Sequence, residues 1–406
     1  MSFNQYTWDL YKQTTIGIEM IKYFSDAGGY VLFKDYCPYA NFIPEDLYND
    51  WLENIYCYGV SDYDHPSSLE EAKDLYISLI TLGIRVEGQQ WLPANDFKNM
   101  LGIIQPMSYV LSQFAPEYFF PYLFLCRIFE LNKIADFFNI DLPNIPKRTD
   151  YKGRCMYYWE LCEVFYLFRK ENGLSPADLW SFLYDFAPNN LPSEKIDMPK
   201  PSQVWFIGGR LYQEDKSLES KFWQSSPETK KGDILVHYET SPISAITCIE
   251  ISLTDGVIDP LFRYYGCIYI GNRINIPHIT LKELQTDEYF FKHPLVRKNF
   301  QGVNGWSVNS ENYSELLRMI KTKGFDIEVL PKLYAPTLPK DVIIEYEHDV
   351  EQQLLEPLLN SMGWYENKDF IRQLPIQAGR GHRIFPDYAL HYGNKPNEER
   401  AKVLIE

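Results

Sequence analysis

The sequence predicts a multidomain α+β protein: an all-helical N-terminal domain, a central small β-barrel with flanking helices, and a partial α/β domain at the C-terminal end. Three observations predict it. Helical spacing and capping signals dominate residues 1–198, short β-type runs follow in residues 199–330, and a helix succeeded by strands fills residues 331–406.

In the first region the clearest helix is Cys155 to Lys170, where Tyr158, Leu161, Cys162 and Phe165 recur at helical spacing. The next carries a start signal, with Ser175 as N-cap, Pro176 at the first position and Asp178 in the first turn, and a stop is expected at Ala187–Pro188. An aromatic stripe of this kind reads as core. Leu191 to Ser202, with three prolines and several charges, reads as a linker.

Beyond it come QVWFIGG, GDILVHYE, ISAITCIEISL and YYGCIYIGN, divided by Gly, Pro, Asp and Asn, then a helix from Asn312 to Thr322. A second boundary is expected at Lys323 to Lys340, where Pro331, Pro336 and Pro339 crowd together. The third region opens with a helix, Val342 to Ser361. Its strands lead to a closing hairpin, Phe385 to Tyr392 and Ala401 to Glu406, whose pairing brings Asp387 close to Glu406. Two carboxylates on one hairpin face either hold a cation or merely solubilise a surface turn. Oxygen ligands of this kind suit Mg²⁺, which activates water and clamps phosphodiester oxygens.

Composition narrows the function classes. The chain has 406 residues, 45% apolar and 23% charged, with aromatics at 16%, a globular balance. The start MSFNQYTWDLYK lacks a basic n-region and an apolar h-region, and the apolar run Phe119 to Phe129 is broken by Pro121 and Arg127, well short of the ~20 residues a bilayer span needs. A soluble cytoplasmic chain without membrane contact is expected. Seven cysteines without a CxxC pair argue for reduced, buried thiols. The formal charge of −16 comes mostly from the first half, so the rest can still present a basic groove to phosphates.

No GxxxxGK[ST], GxGxxG or HExxH occurs, which excludes the common nucleotide motors and zinc hydrolases; Gly208–Gly209 merely follows a strand. The seven histidines are scattered, and His382 and His391 read as structural or solvent-facing. In GRGHRIFPD, Arg380 and Arg383 stand just before Asp387, where a scissile phosphate needs cationic partners.

Two stretches resemble known families. An acidic helix residue followed by EPLLNSMGW, the Pro386–Asp387 pair and the strand KVLIE resemble the PD-(D/E)XK nuclease fold, most closely the N-terminal nuclease domain of type I restriction enzyme R subunits. The resemblance implies Glu351, Asp387 and Glu406 as catalytic acids, with Asp387 and Glu406 on Mg²⁺. The family's Lys two residues after the Glu lies past the end of the chain, so a complete nuclease is expected only in a longer parent.

VWFIGG, KFWQSS, KGDILVHY and FFKHPLVRKNFQGVNGW resemble the EVE domains of the PUA-like group, relatives of the YTH readers. Such domains hold a modified base, flipped from its strand, between aromatic walls. The resemblance implies Trp223 as the cage residue, with Trp205, Tyr238 and Trp306 as further walls or as core. Ser225 and Ser226 supply hydroxyls to the base edge. His293, Arg297 and Lys298 hold backbone phosphates or form a solvated basic turn.

The expected function is therefore a modification-dependent, type IV-like restriction endonuclease component acting on DNA with a modified base, in phage defence. The alternative is a non-catalytic reader of modified nucleic acid with a degenerate nuclease segment. A type I motor subunit is disfavoured because no motor motif is present. The helical region is expected to dock a partner, mimic DNA or self-associate.

Overall fold

The computed structural model describes residues 3–37, 40, 43–86, 89–192, 198–210, 220–334, 342–379, 382–390, 401 and 403–405. It is a mixed α/β structure with a curled, mixed half-barrel sheet. The chain divides into two compact units, Met1–Lys195 with Val257–Cys267, and Ile196–Gly256 with Ile268–Glu406.

The first unit is built from helices whose starts are set by side-chain caps. Thr14, Ser68 and Asp150 each accept a backbone N–H at the head of a helix, and Ser175 and Asp178 form the reciprocal capping box that the sequence signals. The longest helix, Tyr151–Glu171, is one turn longer at its start than the apolar spacing predicts, because Asp150 caps it. Trp8, Tyr48, Tyr76, Phe119, Tyr158 and Trp159 are fully buried in this unit, as rigid aromatic bulk filling a helical core.

Two expectations fail here. The region is not all-helical: Gly83, at φ +77°, ends the helix Leu69–Leu82, and strands β1 (Ile84–Val86) and β2 (Gln89–Leu92) pair antiparallel. Nor does the chain leave the helix at Ala187–Pro188. Proline has no N–H and its ring crowds the carbonyl four residues back, so the backbone widens into a π turn, Phe182–Phe186, and stays helical through Asn190. Pro357 follows a second such turn, Glu351–Leu355.

Residues Val257–Cys267 belong to this unit although the chain reaches them from the other. Asp259, fully buried, accepts the backbone N–H groups of Cys126 (3.3 Å), Leu261 (2.9 Å) and Phe262 (3.2 Å). Arg154, 1% exposed, donates to the carbonyls of Arg148, Pro260 and Phe262 at 2.9, 2.8 and 2.7 Å. These bonds satisfy polar groups that burial would otherwise strand.

In the second unit the sheet contains β3 (Val204–Gly209), β4 (Ser220–Gln224), β5 (Ile234–Glu239), β6 (Ala245–Ser252), β8 (Gly266–Thr280) and β9 (Trp306–Val308), in the order β4-β8-β6-β5-β3-β9. β7 (Val257–Ile258) pairs with the head of β8 inside the first unit. β3 and β5 run parallel, while β5–β6, β6–β8 and β3–β9 are antiparallel. Strand alternation sends Val204, Phe206, Ile234 and Val236 to a large core with the helix Ser310–Thr322, and Trp205, Ile207, Leu235, Ile268 and Ile270 to a smaller one.

Asp233, fully buried, locks β3 beside β5. It accepts from the Trp205 indole (2.9 Å), the Lys230 N–H (2.8 Å), the Gln203 N–H (3.1 Å) and amide (3.2 Å), and the Ser202 hydroxyl (3.3 Å).

The chain then forms a helical segment, Glu347–Ser361, and strands β10 (Phe370–Arg372), β11 (Ile376–Gly379), β12 (His382–Ile384), β13 (Tyr388–Leu390) and β14 (Val403–Ile405). Leu359, Trp364, Phe370, Tyr388 and Leu390 form its core. β13 and β14 pair antiparallel with Tyr388 opposite Ile405, in the register the closing hairpin predicts. Ion pairs Lys230–Asp369 and Lys368–Asp255 join this segment to turns of the sheet.

Candidate functional site

The site grows from two buried polar side chains, His237 on β5 and Glu250 on β6. Across β3, β5 and β6 the register places Ile207, His237 and Cys248 in one row and Trp205, Leu235 and Glu250 in the next. His237 and Glu250 are therefore diagonal neighbours on one face, within reach of each other. The imidazole Nδ1 lies 3.0 Å from Glu250 Oε2, and Arg273 on β8 donates its Nε to Glu250 Oε1 at 2.8 Å.

His237 is 0% exposed and Glu250 2%, while Arg273 keeps 28% of its side chain in solvent. Burial pushes the Glu250 carboxyl up, but His237 and Arg273 outweigh it and hold the group below the ordinary glutamate value. The row is a buried carboxylate hydrogen-bonded from both sides, with the Arg273 guanidinium compensating its charge. Its open end is His237 Nε2, which is buried and has no hydrogen-bond partner among the described residues.

Trp223 on β4 closes over that imidazole, its ring 4.8 Å away and edge-on. Two features hold the indole. Its N–H donates to Asn304 Oδ1 at 3.2 Å, an oxygen that also accepts the Gly208 N–H at 2.8 Å. Gly209 leaves room for the ring, since a Cβ at that position would stand 2.6 Å from Trp223 Cζ2. Asn304 donates in turn to Gln224 at 3.3 Å. The result is a half-buried aromatic plane beside a buried, unpaired ring nitrogen.

His237, Cys248 and Glu250 could each offer a metal one ligand atom, all within 4.8 Å of one another. Their chemistry favours hydrogen bonding instead. Both Glu250 oxygens are engaged, and burial pushes the Cys248 thiol up to about 12, so it stays protonated.

Of the residues singled out in the sequence, Trp205 packs in the smaller core against which Trp223 lies, its indole N–H on Asp233. Tyr238 and Trp306 belong to the larger core on the opposite face, Tyr238 stacked on Phe300 at 4.0 Å. The Ser225 hydroxyl meets Thr229 at 3.0 Å and Ser226 accepts the Glu228 N–H at 3.2 Å, so both shape a turn. His293, mostly buried, caps the helix Pro294–Arg297, while Arg297 and Lys298 are exposed beside it.

Glu406, Arg380 and His391 lie outside the described residues. Asp387 accepts the Gln373 amide at 2.9 Å, Glu351 sits in the π turn 3.9 Å from His348, and Arg383 is exposed. Arg372 pairs with Glu356 at 2.5 Å and Glu366 at 3.2 Å. Among the described residues no three carboxylates gather as Mg²⁺ ligands in this segment, so these side chains alone do not make up the expected metal site.

His237, Glu250, Arg273 and Asn304 went unnoticed in the sequence, where the histidines read as scattered. The available signal was a His in the middle of ILVHYE and a Glu in the middle of AITCIEIS, both runs with many apolar residues.

No helix among the described residues is long and apolar enough to cross a membrane. No family model matches the chain, and no curated protein matches it. Among solved structures it is similar to an NMR structure of a Rhodopseudomonas palustris protein, at 14% identity over 30% of this chain and 94% of that one, TM-score 0.26. It is also similar to a hypothetical protein from Leishmania major, at 11% identity over 30% of this chain and 98% of that one, again with TM-score 0.26.

Proposed function

We propose that the second unit is a nucleic-acid reader that takes up a modified base beside Trp223, with DNA as its target. The observation that carries this reading is the half-buried Trp223 ring set edge-on to His237, a buried imidazole whose Nε2 has no hydrogen-bond partner among the described residues. A buried polar atom without a partner is costly, about 1–3 kcal/mol, and a ligand that supplies a hydrogen bond to it recovers that cost. A planar heterocycle suits both groups, since its face stacks on an indole and its edge carries hydrogen-bonding atoms. Arg297 and Lys298, exposed on the surface of this unit, supply sequence-blind phosphate contacts in this reading.

Binding of the full chain to matched DNA duplexes carrying cytosine, 5-methylcytosine or 5-hydroxymethylcytosine, followed by fluorescence anisotropy, tests the reading. A preference of about ten-fold or more for a modified duplex, lost in Trp223→Ala, is expected from a stacking contribution of ~1–3 kcal/mol. Equal affinity for all three, unchanged by the substitution, rejects it. Cleavage by the C-terminal segment is the fuller form of the proposal and rests on the resemblance to PD-(D/E)XK nucleases. No catalytic step is assigned, because Glu406, one of the two expected Mg²⁺ ligands, lies outside the described residues.

A further inference from the structure

The unpaired nitrogen of His237 has a definite hydrogen-bonding sense. Glu250 is held ionised by Arg273 and His237, and a carboxylate only accepts hydrogen bonds. The 3.0 Å contact at Nδ1 must therefore be Nδ1–H donating to Glu250. In the neutral ring this leaves Nε2 with a lone pair, an acceptor, on an imidazole whose ring lies 4.8 Å from that of Trp223.

We infer that His237 Nε2 is the specificity-determining acceptor of the reader site, selecting bases that present an exocyclic amino group, with Glu250 as the positioning residue that fixes its tautomer. The inference rests on the proposed base-reading role of Trp223 and names the ligand class it serves. The Trp223 indole is held beside that imidazole by its 3.2 Å bond to Asn304, and a base stacked on the indole would turn its edge to Nε2. Cytosine N4 and adenine N6 are donors at the matching edge, whereas thymine O4 is an acceptor and would face a second lone pair. The discrimination has a chemical purpose: 5-methylcytosine and thymine share the 5-methyl group, and a reader of the methyl alone would be saturated by thymine.

The test measures binding of the full chain to single-stranded oligonucleotides identical except for one base, in the pairs 5-methylcytosine against thymine and 5-hydroxymethylcytosine against 5-hydroxymethyluracil. Single strands remove the difference in base-pairing partner. The wild type is expected to favour the amino member of at least one pair by about ten-fold or more, the range that a mispaired buried hydrogen bond produces. His237→Ala brings the ratio close to one. Glu250→Gln, whose amide can donate to Nδ1 and move the ring proton to Nε2, reduces or reverses it, with folding of both variants checked by circular dichroism.

Equal affinity for amino and keto members, together with tighter binding than to unmodified cytosine and sensitivity to Trp223→Ala, overturns the role of His237 while leaving the reader standing. Binding that ignores modification and Trp223 alike overturns both. If the variants do not fold, the wild-type ratio alone decides, and a ratio near one or favouring the keto base refutes the inference.

Discussion

Asp233→Asn removes one titrating group from the heart of the sheet and leaves the shape of the side chain almost unchanged. Burial pushes the Asp233 carboxyl up to about 6, against the lowering effect of its donors from Lys230, Trp205, Gln203 and Ser202. In the unfolded chain the group returns to an ordinary value near 3.9. Between those two values the folded state binds the proton more tightly than the unfolded one, so the stability this group contributes falls as pH rises from about 4 to about 6. At about 1.4 kcal/mol per pH unit the full span is about 3 kcal/mol. The Asn variant has no such titration.

The amide also costs stability at every pH. It orients its NH₂ toward the Oδ1 position, where fewer donors point, because the Ser202 hydroxyl can rotate to accept while the Gln203 N–H cannot. One stranded backbone donor costs about 1–3 kcal/mol. Urea unfolding followed by tryptophan fluorescence, run on both proteins from pH 4 to pH 7.5, isolates the effect. Subtracting the two stability curves cancels every other ionisable group. The wild-type advantage should be greatest near pH 4 and shrink by up to about 3 kcal/mol by pH 7. A difference that is flat, or that grows with pH, would show that the five donors hold Asp233 ionised throughout, and would refute the argument.

Gly209→Ala places a methyl group against Trp223 Cζ2 and should displace the indole, shifting its fluorescence toward the red and weakening binding to a modified duplex by about ten-fold, with little change in melting temperature. In the first unit, Asp259→Ala strands the N–H groups of Cys126, Leu261 and Phe262, and thermal unfolding by circular dichroism should show a loss of about 3–6 kcal/mol; a loss under 1 kcal/mol would mean water replaces the carboxylate.

Strands that bury both faces announce themselves, and β3, β5 and β6 fall where their apolar runs stand in the sequence. The end of β8 did not, since its polar half, Gly271 to Thr280, is carried along by pairing with β6 and not by its own pattern. Pro188 misled for a related reason: proline forbids one hydrogen bond, and tertiary packing kept the helix going by spending a π turn on it. Trp223 was singled out by the resemblance of KFWQSS to the EVE domains and not by any spacing of its own. His237 was not, because nothing in VHYE shows that its ring faces Glu250, thirteen residues on; only the pairing of β5 with β6 does. The closing hairpin was legible from its loop alone.

The eleven residues Val257–Cys267 that belong to the first unit have a consequence for the order in which the chain can mature. As the ribosome delivers the polypeptide, the first 195 residues emerge without the segment that carries Asp259 and the carbonyls of Pro260 and Phe262, the acceptors of the buried Arg154. Until residue 267 has left the exit tunnel, that guanidinium and the Cys126 N–H lack these partners. The first unit must therefore wait until residues 196–256 of the second have been synthesised. Cutting the gene between residues 195 and 196 leaves the first product without eleven residues of its own unit and the second product carrying them.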